Sequence, residues 1–554
     1  MRLAAGALLL TAALHAAPAF EVKFGAGLRA APVDGRLIVV VSKELQGPEP
    51  RFQVEWGVQT QQVFAVDVDG WKAGEPLKLD GKAAGHPLRA LGDLPAGEYR
   101  VQAVLNVYET VHMADGRTLK LPWDDGEGQQ WESSPGNLVS EPRTVRVGAD
   151  SVVPLELTRA IPPIEPPKDT KYVRHVRMQS ELLTKFWGRP VYIGAHVLVP
   201  EGFDEHLERR YPVAYNQGHF PADFRAFRET PPQANLSGPA MQRAQNLHRF
   251  YQEWTSGRLP KFLVVLTQHA TPYYDDSYGV NSANMGPYGD ALTKEFYPWL
   301  EKKFRAIGEP WARVLYGGST GGWMVIAQQI FYPDFFGGAW GFCPDPLDFH
   351  TFQLVNVYED KNAWYDEGPF LKIPRPLGRL PNDHTMTTIE EFSRQETVLG
   401  ARGRSGGQFD AFHATFGPVG ADGYPAPLWN PATGQINPEV ARHWREKFDL
   451  TSVLKRNWES LGPRLVGKIH VTMGTKDTFY LDAGARRMEE FLESTKLPLK
   501  GPYYGGSFVY GNDKPHCWPG PVPEGQTLEM YYLPIFAEHM RKMAPAGADL
   551  SSWK

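Results

Sequence analysis

The chain has 554 residues, which is long for one domain and points to two or three. Charged residues make up 22% and hydrophobic ones 42%, so the chain is globular rather than disordered. A formal net charge of -5 is too small for this size to suggest a polyanionic partner, and no basic tract or basic amphipathic helix supports a nucleic-acid or membrane-surface role.

Residues 1–19 read as a signal peptide. Arg2 gives the positive start, Leu3 to Leu14 is an apolar run too short to span a bilayer, and Ala17-Pro18-Ala19 offers a small-residue cleavage site before Phe20. No later run is long enough for a transmembrane helix, so the expected product is exported, in the periplasm or outside the cell.

Residues 20–158 carry short strand candidates divided by Gly/Asp/Pro turns. They are Gly35 to Ser42, Gln62 to Val68, the run up to Val104 after the turn at Leu94, Val145 to Val147, and Val152 to Leu157. Without helical periods this spacing suggests a β-sandwich accessory domain. A Pro-rich linker follows over 159–171, centred on Ile161 to Lys168.

From Tyr172 the pattern changes to strands alternating with helices, the mark of a mainly parallel sheet covered on both faces. Strand candidates are Val173 to Met178 and Val191 to Val199, around a loop at Trp187 to Pro190. Pro212 to Tyr215, Phe262 to Leu266, Val314-Leu315 and Gly338 to Phe342 follow. Apolar residues Leu292, Phe296, Trp299 and Leu300 mark a helix between Asp290 and Phe304. Over about 344–465 the strand rhythm stops, too long for a simple connection, which suggests an inserted lid. Lys468 to Met473 and Ser507 to Tyr510 resume the sheet, and Leu528 to Met543 closes the chain as a helix.

The chemistry is centred on Gly317-Gly318-Ser319-Thr320-Gly321-Gly322. An apolar run precedes this turn and a helical one follows, the context of a nucleophile elbow that lifts a serine Oγ above a sheet edge. A second Gly-x-Ser-x-Gly match, Gly403 to Gly407, follows no strand and reads as a loop. Serine at neutral pH needs a base to take its proton and an acid to hold that base. In such a sheet the chain order is nucleophile, acid, histidine, each in a loop past a strand. Asp477, directly after the strand at Met473, is the expected acid, with Asp482 a competitor that suits the start of the next helix. His516 is the expected base, because His470 falls within a strand and His539 within a helix. The oxyanion donors are expected from the Thr320 backbone and from the loop Gly218-His219-Phe220. Tyr273 and Tyr274, in the loop after the Phe262 strand, are candidate substrate-binding residues. Cys343 and Cys517 both fall at the same sheet edge, where they read either as two buried thiols or as a disulfide that would brace the histidine loop. Gly462 to Ile469 nearly copies a phosphate loop but runs into a strand, and no metal-ligand spacing is present.

With these residues in place, the chain resembles the putative-esterase branch of the α/β-hydrolases, with its feruloyl esterases, S-formylglutathione hydrolases and enterochelin esterases. The resemblance covers about Tyr172 to Met543 and rests on the Ser319 elbow, on Tyr332-Pro333-Asp334-Phe335-Phe336, and on the Asp477 and His516 loops. It implies an acyl-serine esterase that needs no cofactor or metal and acts on a small-molecule or glycan-linked ester. Gln217-Gly218-His219 stands where many members carry His-Gly. A serine peptidase or acyltransferase would use the same residues, and a non-catalytic envelope or glycan-binding protein could share the scaffold.

Overall fold

A computed structural model describes residues 17–57, 59–124, 130–218, 224, 226–497 and 501–553. The expected leader thus falls almost wholly outside the described residues, as do His219 and Phe220 of the expected oxyanion loop. The chain divides into two compact units, residues 1–107 with 136–161, and residues 108–135 with 162–554.

The first unit is all-β. Strand Ala19–Phe24 alternates, with Phe20, Val22 and Phe24 buried and Glu21 and Lys23 exposed, the period of a strand with one wet face. It lies parallel to Val152–Ala160, while Val33–Ser42 pairs antiparallel with Gln62–Trp71. Phe20, Leu37, Val39, Phe64, Leu105 and Leu155 meet in its core. The stretch 108–135, read from sequence as part of this domain, belongs by its contacts to the second unit. No regular element lies between Ala160 and Val173.

The second unit is organised by an eight-stranded sheet. Its strands are β1 (Val173–Gln179), β2 (Tyr192–Leu198), β3 (Val213–Gln217), β4 (Leu263–Gln268), β5 (Arg313–Gly318), β6 (Gly338–Phe342), β7 (Ile469–Gly474) and β8 (Ser507–Gly511). The order across the sheet is β1-β2-β4-β3-β5-β6-β7-β8. Strand β2 runs antiparallel to both neighbours, and every pair from β4 to β8 is parallel. Parallel strands need both faces covered, and β5 and β6 are accordingly buried almost throughout. Helix α1 (Thr320–Phe331) packs on β5 and β6 directly after the serine turn. This is an α/β-hydrolase sheet.

The insertion is more structured than the sequence suggests. It holds two short hairpins, Tyr365–Glu367 with Lys372–Pro374 and Pro376–Arg379 with Thr385–Thr388, and helices α2 (Ile389–Leu399) and α3 (Gln408–Phe416). Helix α3 follows the second Gly-x-Ser-x-Gly match, where no helix was expected; Ser405 donates its hydroxyl hydrogen to Asp410 (2.5 Å). Helix α4 (Leu450–Leu465) packs on α1 and on α5 (Asp482–Ser494), so the last part of the segment assigned to a lid belongs to the layer that covers the sheet. Two further helices were not read from the sequence: Glu181–Trp187, which ends where the loop at Trp187 to Pro190 begins, and Gly238–Thr255, which precedes β4.

Candidate active site

Strand β5 ends in the elbow, and Ser319 takes φ 57 and ψ -123, a strained conformation for a residue with a Cβ. The turn closes because its neighbours have no side chains: a Cβ on Gly321 would lie 2.1 Å from the Gln217 carbonyl oxygen. That close approach brings the end of β3, and with it Gly218, against the serine turn. The Ser319 N–H donates to the Phe342 carbonyl (2.9 Å), which ties the elbow to the end of β6.

Asp477 and His516 come from the loops after β7 and β8, and a second glycine lets those loops meet. A Cβ on Gly474 would lie 2.2 Å from the Lys514 carbonyl oxygen and 2.5 Å from that of Pro515. The Thr475 N–H donates to Gly511 (2.9 Å) and the Lys476 N–H to Lys514 (3.0 Å), locking the two loops together. Asp477 is fully buried; its Oδ1 accepts N–H groups from Phe479 (2.9 Å) and Leu481 (3.3 Å). Its Oδ2 lies 2.7 Å from His516 Nδ1, and His516 Nε2 lies 2.9 Å from Ser319 Oγ. The three residues therefore form one line, 197 positions from end to end along the chain. Asp482 begins α5 and pairs with Arg486 (3.6 Å) instead. His470 stacks on Trp340, and His539 contacts the Gly337 carbonyl.

Burial alone would lower the His516 pKa; the Asp477 carboxylate and the Cys517 sulfur outweigh it, and the balance is upward. The nearby cysteines stand as free thiols, which corrects the disulfide reading. The two sulfurs and a His516 ring nitrogen lie within 4.8 Å of one another. The hydrogen bond from Cys343 holds the Cys517 sulfur as a thiolate, against burial and with help from His516, and its pKa falls to about 5. The set is spaced for a metal, but both His516 nitrogens already have partners. Asp348, His350 and Asp449 cluster likewise; there Arg487 (3.2 Å) and His350 (2.7 Å) reach Asp348 Oδ1 while its buried Oδ2 has no hydrogen-bond partner, and Tyr358 and two backbone N–H groups satisfy Asp449.

Thr320 opens α1, where backbone N–H groups have no acceptor inside the helix and the helix dipole favours negative charge. Gly218 closes on the elbow from β3. The two tyrosines part company. Tyr274 Oη donates to Gln408 Oε1 (2.5 Å) beside Thr320, whereas Tyr273 is buried near Trp187, away from the serine. Tyr273 is thus corrected to a core residue.

Three residues that the sequence did not single out complete the surroundings. The Gln408 amide donates to Tyr278 Oη and lies 3.5 Å from Thr320 Oγ1, and Tyr278 Oη donates to Asp345 Oδ2 (2.8 Å). Asp345 is buried; that burial pushes its pKa up to about 6, against the Tyr278 hydrogen bond and the His516 charge. Its N–H donates to the Ser319 carbonyl (3.2 Å). Tyr278 holds φ 56, a strained value that this relay keeps in place. The only sequence signal for Asp345 was its place just past the end of β6; Gln408 lies 88 residues from Thr320 and left none.

A buried carboxylate, an imidazole and a serine hydroxyl at the C-terminal edge of a parallel sheet define the serine-hydrolase class. Residues 195–401 match the family model described as Putative esterase. That match is consistent with the putative-esterase branch of the α/β-hydrolases and, with the site, supports a serine hydrolase of the carboxylic-ester class. The segment includes Ser319 and ends before Asp477 and His516. No curated protein sequence matches the chain. Among solved structures, a ferulic acid esterase is 13% identical, covering 67% of this chain and 97% of its own, with a TM-score of 0.35. An S-formylglutathione hydrolase from Agrobacterium tumefaciens is 12% identical, covering 68% and 99%, with a TM-score of 0.35. The fluorophosphonate-binding serine hydrolase FphF of Staphylococcus aureus is 11% identical, covering 67% and 99%, with a TM-score of 0.32. At these scores the likeness is partial, and the functional reading rests on the site geometry and the family match.

Proposed function

We propose that the protein hydrolyses a carboxylic ester through an acyl-Ser319 intermediate, with Ser319, His516 and Asp477 as its catalytic residues. The observation that carries this is the pair of contacts on the two ring nitrogens of His516, 2.7 Å to Asp477 and 2.9 Å to Ser319. Neutral His516 accepts the Ser319 hydroxyl proton at Nε2 while Oγ bonds to the ester carbonyl carbon. Asp477 accepts the Nδ1–H hydrogen bond, fixing the tautomer and stabilising the imidazolium. The carbonyl oxygen becomes negative and takes hydrogen bonds from the Thr320 N–H and from the Gly218 loop. The intermediate collapses, the C–O bond to the alcohol breaks, and His516 returns its proton to the leaving oxygen. Water then attacks the acyl carbon with His516 again as base, releasing the acid and restoring Ser319. No step calls for a metal or cofactor.

The reading includes export. Arg2, the run Leu3 to Leu14 and Ala17-Pro18-Ala19 have the order of a cleavable leader. A cut before Phe20 leaves Phe20 to Phe24 of the first strand to pair with Val153 to Leu157. The substrate is a small or glycan-linked ester, and the insertion is the element that covers the serine.

The test is steady-state hydrolysis of matched ester and amide substrates by wild type and Ser319→Ala. Ester turnover lost in the variant, with the amide at least about 10³-fold slower in wild type, supports an esterase. Equal amide turnover makes the protein a peptidase, and ester turnover retained by Ser319→Ala overturns the proposal.

A further inference from the structure

The insertion meets the serine line at its acid end. Its second hairpin, Pro376–Arg379 with Thr385–Thr388, lies against the turn Asp477 to Tyr480 that follows β7. The Arg379 N–H donates to the Thr478 carbonyl (2.9 Å), and the Arg379 Nε–H donates to the Asp477 carbonyl (3.1 Å). The Asp477 carbonyl also takes the Tyr480 N–H (3.1 Å), which closes the turn. Near the hairpin tip Asp383 accepts from Lys476 Nζ (3.0 Å), so the residues on both sides of Asp477 are bound to this one hairpin. Gly378 packs against the Phe479 ring, where a Cβ would lie 3.5 Å from the ring edge, and that ring meets His516 edge to face at 5.0 Å.

This turn needs holding. Tyr480 has φ 60, a left-handed value that costs energy for a residue with a Cβ. The two N–H groups that Asp477 Oδ1 accepts, from Phe479 and Leu481, come from the same turn or just past it, so the shape of the turn sets the direction of the carboxylate. The half-buried Arg379 side chain is itself fixed. Its guanidinium lies over the Tyr480 ring at 4.7 Å, and its Nη1 is 3.6 Å from Asp383. A hydrogen bond from a charged donor is about twice as strong as a neutral one. A turn that relaxed without it would draw the carboxylate off its 2.7 Å contact with His516 Nδ1, and a misplacement of about 1 Å can cost on the order of 10²-fold in rate.

We propose that Arg379 is a positioning residue for the reaction: through the Asp477 carbonyl it holds the turn that aims the Asp477 carboxylate at His516. It acts through Asp477 and meets no reacting atom. The insertion then shapes the chemistry as well as covering the serine, because the acid is set by a side chain 98 positions before it. The inference rests on the reading of Asp477 as the acid of the serine line.

The test measures kcat and KM separately for p-nitrophenyl acetate, on the full-length protein and its variants. Arg379→Met keeps the stem and removes the donor. Arg379→Gln puts an amide nitrogen at the place of Nε and carries no charge. Arg379→Met should lower kcat about tenfold, the worth of one hydrogen bond from a charged group, with KM within about twofold of wild type. Arg379→Gln should bring kcat back to within about threefold of wild type, because the donor is restored. Added to Asp477→Asn, Arg379→Met should cost no more than about twofold, because the carboxylate it aims is already gone; a residue that merely supports the fold would slow both backgrounds alike. Arg379→Ala takes the place of Arg379→Met if that variant does not fold. Wild-type kcat in Arg379→Met, a loss confined to KM, Arg379→Gln no faster than Arg379→Met, or the full loss repeated on Asp477→Asn would each overturn the proposal. Asp477→Asn measured alone keeps two failures apart. If it retains wild-type turnover, the acid itself is misassigned and the proposal goes with it; if it is slow while the other results fail, only the role of Arg379 falls.

Discussion

Asp477→Asn isolates the orienting role of the carboxylate. The substitution keeps size and shape in a fully buried position, so the loop after β7 has no steric reason to move. The Phe479 and Leu481 N–H groups need an acceptor, so the new amide must keep its oxygen on them. Its NH₂ then faces His516 Nδ1 across 2.7 Å, and Nδ1 has to accept rather than donate. The imidazole is forced to carry its hydrogen on Nε2, the atom that should take the Ser319 proton. A buried site admits no water to rescue the tautomer. The expected loss is on the order of 10⁴ in kcat, as such a change costs in triads of this type, or about 5.5 kcal/mol of barrier. The assay is p-nitrophenyl acetate hydrolysis beside circular dichroism to show an intact fold. A folded Asp477→Asn enzyme within about tenfold of wild type would refute the role given to this carboxylate.

Cys517→Ser removes a thiolate that raises the His516 pKa, so the acid limb of kcat/KM against pH should move to lower pH; no shift, or a shift upward, contradicts the contact. Oxidation of Cys343 and Cys517 to a disulfide should move the limb the same way, read on enzyme treated with oxidant and then with reductant. Glu301→Ala leaves the buried Arg313 guanidinium without the carboxylate it grips at 2.6 and 2.8 Å, and should cost about 3–5 kcal/mol in urea unfolding. Gly321→Ala sets a Cβ 2.1 Å from the Gln217 carbonyl oxygen, a backbone atom no rotamer change can clear; activity should fall at least about 10²-fold even if the protein folds.

The sheet and the serine line were legible because each rests on local signals. Val314 and Leu315 before the glycines, and Asp477 and His516 a few residues past apolar runs, are strand-end positions readable without coordinates. Helix Gly238–Thr255 was not, because only Ala244, Phe250 and Trp254 of its residues are buried and its apolar stripe is thin. The helix Glu181–Trp187 hid behind the loop chemistry of Gly188, which is its left-handed cap. Adjacent tyrosines 273 and 274 point to different surroundings, and loop sequence does not say which one turns to the serine. The Gln408–Tyr278–Asp345 relay joins side chains far apart in sequence, and no pattern in one chain encodes that meeting.

The most direct measurement is intact-mass analysis after reaction with a fluorophosphonate, with peptide mapping of the product. A single adduct on Ser319, formed at a rate that falls with His516→Ala and absent in Ser319→Ala, is the expected result. A wild-type protein that takes no adduct, or one that labels on Ser405 or elsewhere while Ser319 stays unmodified, contradicts the assignment of Ser319 as the nucleophile.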